Sequence, residues 1–181
     1  MKRLLMISLG AISTVATLTI TSCEANKCKA IVCANGAVCE EDGSCTCPVG
    51  YEGERCETAT RDRYRGAWTV DETGTVSGVA RYTVSVENGP AINQIQIRNF
   101  NNLNNTSVVI ATVTPDSVFI APQTFEVAGV QKTVVGYGVI EPAKFYGAHG
   151  EIRMYYRVSS SDGVTDDYGY RESGQPSVWI K

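Results

Sequence analysis

Glu151-Ile152-Arg153-Met154-Tyr155-Tyr156-Arg157-Val158-Ser159 changes character at every step but one. Successive side chains of an extended chain point to opposite faces, so Ile152, Met154, Tyr156 and Val158 share one side and Arg153, Tyr155 and Arg157 the other. That is the pattern of a strand with one buried face. The same alternation, with Val, Ile, Thr and Tyr abundant, recurs upstream, where Tyr82, Val84 and Val86 share a face. It predicts strands near 66–71, 79–87, 91–99, 107–113, 117–121, 124–128, 132–140, 151–159 and 166–172, with a last one at 177–180. Turn signals separate them at Asn88-Gly89-Pro90, Asn101 to Asn105, Pro115-Asp116 and Ser161-Asp162-Gly163. Short strands at such regular spacing predict a mainly β fold, an antiparallel up-and-down barrel, with a β-sandwich as the alternative.

The chain has 181 residues, 43 % hydrophobic and 19 % charged, close to ordinary globular usage. Its formal charge is −3, and without the first 22 residues, which carry Lys2 and Arg3, it becomes −5. Nucleic acid is therefore excluded as a partner on charge grounds. All seven cysteines lie between Cys23 and Cys56. Such clustering predicts a small oxidised unit joined to a larger domain that has its own core.

Met1-Lys2-Arg3 followed by the apolar run from Leu4 to Ile12 reads as a secretion signal, too short to span a bilayer. It ends in Thr21-Ser22-Cys23, which resembles the lipobox of bacterial lipoproteins. The resemblance implies cleavage after residue 22, a diacylglyceryl group on the Cys23 thiol, acyl chains such as palmitate, and attachment to the bacterial cell envelope at the outer membrane. Lipidation also removes the odd cysteine of an exported chain. Two or three acyl chains make a stable anchor where one does not.

The remaining cysteines, Cys28, Cys33, Cys39, Cys45, Cys47 and Cys56, are spaced C-x4-C-x5-C-x5-C-x-C-x8-C, which alone leaves their pairing open. Cys45-Thr46-Cys47-Pro48-Val49-Gly50-Tyr51-Glu52-Gly53-Glu54-Arg55-Cys56 is similar to the C-terminal half of an EGF-like module. That similarity implies Cys28–Cys39, Cys33–Cys45 and Cys47–Cys56. Gly50 and Gly53 mark tight reversals. A zinc site is disfavoured because His149 is the only histidine, and the Cys39–Cys45 loop lacks the aromatic of calcium-binding modules. No metal or cofactor is expected.

Gly66-Ala67-Trp68 at the first long strand resembles the start of a lipocalin or calycin barrel. The resemblance implies that Trp68 plugs the closed end with an arginine across it, a role open to Arg171, with Arg153 and Arg157 as the other candidates. The order of an EGF-like module, G-x-W and a meander is similar to Bacteroidetes lipoproteins with EGF-like and calycin-like domains. The organisation read here is a signal at 1–22, a lipidated stretch at 23–27, an EGF-like module at 28–57, a linker at 58–63 and a barrel at 64–181.

Chemistry is sparse. His149 lies in a glycine-rich tip, and no G-x-S-x-G accompanies it. Asp71-Glu72 and Asp166-Asp167 are neighbours whose side chains diverge on a strand, unsuited to glycosidase work. Tyr155, Tyr156, Tyr168, Tyr170 and Trp179 form the aromatic group best suited to packing or to contact with a ligand. Asp116-Ser117-Val118 resembles a bacterial O-glycosylation sequon at Ser117, and N-x-[ST] occurs at Asn104 and Asn105. The expected function is non-catalytic, a membrane-anchored module that contacts a protein or glycan through Tyr155, Arg153 and Arg157. The alternative is a carrier of a small apolar ligand in the barrel, less favoured because Trp68, Tyr137 and Tyr156 are bulky enough to fill a small barrel, and a hydrolase ranks third. Replacing the lipidation site, Cys23→Ser, moves the protein from the detergent to the aqueous phase in detergent partition; retention in the detergent phase contradicts the anchor.

Overall fold

The computed structural model describes residues 27–103, 107–144, 149–171 and 173–181. The expected signal at 1–22, the expected lipidation site Cys23, and Asn104 and Asn105 lie outside the described residues. Two short hairpins open the chain, β1 (Val38–Cys39) with β2 (Cys45–Thr46), and β3 (Tyr51–Glu52) with β4 (Thr58–Ala59). Three disulfides join Cys28 to Cys39, Cys33 to Cys45 and Cys47 to Cys56. From residue 27 to 59 only Cys56 is buried, so this segment has no apolar core and its bridges take the core's place. In the β1–β2 loop, Ser44 donates its backbone N–H and its hydroxyl to Asp42 at 2.9 and 2.7 Å, which holds that carboxyl below its usual range.

The stretch 58–63, read as a linker, is structured: Thr58–Ala59 is strand β4 and Thr60–Arg63 a single 3-10 turn. It clamps the bridged segment to the barrel. Arg63 contacts Glu52 at 2.7 Å and donates to the Pro115 carbonyl at 2.9 Å, while Arg61 donates to the carbonyls of Gly89 and Ala91. Gly50, at φ +89°, lies so close to Ile92 that a Cβ there would come within 2.8 Å of its Cγ2. Only glycine permits that approach.

The barrel comprises β5 (Gly66–Gly74), β6 (Gly78–Asn88), β7 (Gln94–Arg98), β8 (Val108–Val113), β9 (Ser117–Val127), β10 (Val130–Ile140), β11 (Glu151–Ser160), β12 (Thr165–Tyr168) and β13 (Ser177–Ile180). β5 to β11 pair in sequence order, all antiparallel. On its far edge β11 pairs β12 at Arg157–Ser159 and β13 at Glu151–Met154, and β13 pairs β5. The ring is therefore closed, an eight-strand antiparallel barrel, and a sandwich is excluded. The strands expected at 117–121 and 124–128 are one strand, β9. Its register against β10 shifts between Gly136 and Val134, opposite Ile120 and Gln123, and Pro122 sits at that irregularity, where its missing N–H is tolerated.

Ile152, Met154, Tyr156 and Val158 all face inward and are at most 3 % exposed, as their alternation predicts. Facing them on β10 are Gly136, opposite Tyr156, and Gly138, opposite Met154. A Cβ on Gly136 would overlap Tyr156 Cβ and lie 2.6 Å from the Tyr155 carbonyl, and one on Gly138 would overlap Met154 Sδ. At the end where β5 begins, Trp68 is fully buried and donates to the Tyr64 carbonyl at 2.6 Å. The void beside it, lined by Trp68, Ile97, Met154 and Trp179 among others, is about 10 Å³, no more than a water molecule fills. Gly136→Ala overpacks this wall and lowers stability by about 1–3 kcal/mol in urea denaturation; an unchanged midpoint shows that the wall yields.

Candidate functional site

The inward positions of β9, β10 and β11 leave Phe119, Tyr137 and Tyr155 pointing outward. They form one row, Tyr137 standing opposite Phe119 on one side and Tyr155 on the other. Phe119 is 56 % and Tyr137 40 % exposed. Tyr137 and Tyr155 stack at 5.0 Å with 12° between ring planes, and Tyr170 extends the row, 6.3 Å from Tyr137. The Arg157 guanidinium lies 5.5 Å from the Tyr170 ring centre, a cation–π contact. Among the described residues no carboxylate pairs with Arg157, whereas Arg153 contacts Glu141 at 3.0 Å and Glu151 at 3.9 Å. The stripe thus offers exposed aromatic surface beside a guanidinium that is engaged in no ion pair among the described residues, although Asp167 stands opposite it on β12.

Tyr155, Arg153 and Arg157 are therefore brought together on one outer face. Phe119 and Tyr137 belong with them, and the sequence reading missed both. Tyr137, expected to help fill the barrel, points outward because Gly136 and Gly138 occupy the inward positions. Of the aromatic group singled out above, Tyr156, Tyr168 and Trp179 are buried. Arg171 does not lie across Trp68: it is exposed in the connection after β12, and the cation over the Trp68 ring is Lys181, at 4.8 Å. Lys181 also donates to the Arg63 carbonyl at 2.6 Å, which fixes it there. Ser117 shares a 2.6 Å hydrogen bond with Thr114 and donates to Asp116 at 3.2 Å. His149 is exposed in the β10–β11 connection.

A second cluster fills the opposite end, the mouth, where β5 finishes. Asp71 points outward to Arg81 at 3.4 Å, and its neighbour Glu72 points inward, 6 % exposed. Glu72 accepts hydrogen bonds from Tyr156 at 2.6 Å, Tyr82 and Ser177 at 2.8 Å and Asn101 at 3.3 Å. Trp179 donates to Ser177 at 3.0 Å. Asn101 comes from the single 3-10 turn Phe100–Asn102, whose buried Phe100 packs edge-on against Tyr156 at 4.6 Å. Burial pushes the Glu72 carboxyl above its ordinary value of 4.5, against the pull of its four donors. Tyr168, stacked on Tyr156 at 4.3 Å, is pushed up to about 12, chiefly by burial. Burial also raises the Asp166 carboxyl, but bonds from Ser77, Val76 and Tyr168 outweigh it and hold the group below its usual range.

Comparison with known protein families, curated proteins and solved structures finds no match for this chain.

Glu72 gives stability a definite pH dependence. Its raised folded pKa favours the neutral form, so its contribution is fully present below the unfolded value and is lost as pH rises through the folded one. The stability of the wild type relative to Glu72→Gln therefore falls as pH increases above 4.5. Urea midpoints of both proteins across a pH series check this, and a difference that grows with pH contradicts it.

Proposed function

We propose that the chain is a non-catalytic binding module of the bacterial cell envelope, a lipoprotein held at the outer membrane through Cys23 and presenting its barrel to a protein or glycan. The observation that carries this reading is the outward row of Phe119 and Tyr137, both exposed, with half-buried Tyr155 stacked on Tyr137, on the barrel wall beside Arg157. Aromatic residues and arginine dominate the energetics of recognition surfaces because they bury much area while losing little side-chain freedom. A soluble domain has no packing reason to expose Phe119 and Tyr137 side by side on adjacent strands. The basic-apolar-Ser22-Cys23 order supports the anchor, and the bridged segment, clamped by Arg61 and Arg63, acts as a stiff spacer. A carrier needs an interior of roughly 300 Å³ or more, and the void beside Trp68 is about 10 Å³. This favours the outer surface over the interior.

The test uses ligands selected by the purified protein from displayed peptides and from an immobilised glycan panel. Tyr137→Ser and Arg157→Glu each weaken the selected ligands by about tenfold or more, with the urea midpoint unchanged. Ligands that bind both variants as they bind the wild type place recognition elsewhere.

A further inference from the structure

The barrel mouth contains a carboxyl group with no counter-ion. Each of the four donors to Glu72 is neutral, and among the described residues no ion pair includes it. Withdrawing a carboxylate from water is unfavourable unless a cation compensates it.

What sits on Glu72 is equally informative. Asn101 Nδ2 lies 3.3 Å from Glu72 Oε1, 3.1 Å from the Tyr156 oxygen and 2.7 Å from the Tyr168 oxygen. Directly before it in the chain, the Phe100 ring lies 4.6 Å from Tyr156 and 5.9 Å from Trp179. A nitrogen donor facing a carboxyl and two phenols, with an aromatic ring beside it, has the outline of an aromatic amine. The turn that delivers this pair is held in an uncommon backbone state: Asn99, Asn101 and Asn102 have φ of 60°, 53° and 51°. Asparagine tolerates this left-handed region better than other residues with side chains, so the turn is seated by its own preference together with its contacts.

We propose that the mouth of the barrel is a binding site for a small organic cation, an amine on an aromatic or apolar body, and that the Phe100–Asn102 turn is the built-in occupant such a ligand displaces. The ammonium group takes the place of Asn101 Nδ2 and supplies the charge Glu72 lacks. The ligand's ring takes the place of Phe100 beside Tyr156 and Trp179, and its ammonium donates to the Tyr156 and Tyr168 hydroxyls as Asn101 does. This site is separate from the outer stripe, and neither depends on the other.

The probes are 2-phenylethylamine and its uncharged analogue 2-phenylethanol, followed by calorimetry and tryptophan fluorescence. In the Phe100→Ala, Asn101→Ala double variant the competing turn is gone, and the amine binds about tenfold tighter than to the wild type, with the alcohol well behind. Adding Glu72→Gln on that background abolishes the preference for the amine. Near-UV circular dichroism reports folding; if the double variant does not fold, Asn101→Ala alone carries the comparison. In the wild type, titration with the amine shifts the side-chain amide resonances of Asn101. Equal affinity for amine and alcohol, a preference that survives Glu72→Gln, or no shift at Asn101 overturns the proposal.

Discussion

Ring closure through β11 is the constraint on which the structure depends. This strand pairs along both edges, with β10 on one side and with β12 and β13 on the other, and β13 carries the sheet round to β5. The ring pairs its first and last strands, β5 and β13, and so removes the two free ends that an open sheet would have. It also fixes the interior: eight strands enclose a space that side chains can just fill, so bulk on one strand must be matched by its absence on the next. Tyr156 and Met154 project inward from β11, and the facing positions of β10 are glycines. The outer stripe follows from the same rule. With glycine at positions 136 and 138, the large side chains of this part of β10, Tyr137 and Val139, stand on the outer surface.

Much of this was legible in the sequence, through periodicity. Alternation over 151–159 identified the buried face of β11 residue by residue, and the strands near 66–71, 79–87 and 132–140 fall within β5, β6 and β10. The cysteine spacing, through its similarity to an EGF-like module, implied the three bridges seen here. What the sequence concealed has physical causes. Glycine carries no hydropathy signal, so nothing marked 136 and 138 as inward positions, and Tyr137 was assigned to the wrong side. The gap at 122–123 between two expected strands is only a bulge in β9, at Pro122. Lys181 is distant in sequence from Trp68, and only the closed ring brings it over the indole in place of Arg171. The Glu72 cluster gathers β5, β6, β11, β13 and the β7–β8 connection, a convergence that no local pattern encodes.

The two ends of the barrel differ in chemistry for reasons rooted in their connections. The end where β5 starts is sealed by Trp68 and Lys181 and abuts the bridged segment, whose fixed seat depends on Gly50 and the two arginines of the 60–63 turn. The other end is capped by a three-residue turn inserted from above, and polar side chains rather than apolar ones line it. Chain leaving the bridged segment thus meets the sealed end, and the polar mouth faces away from it.

The pairing of Gly136 with Tyr156 makes the residues at the two positions depend on one another. Because the barrel wall cannot move apart without breaking the ladder on either side, the volume the pair shares is limited however it is divided. Relatives of this chain that gain a side chain at the first position are expected to shed bulk at the second. Since the Tyr156 hydroxyl is also a donor to Glu72, such an exchange would remove a phenol from the mouth, so a substitution on β10 that touches no polar group would alter the acid's surroundings.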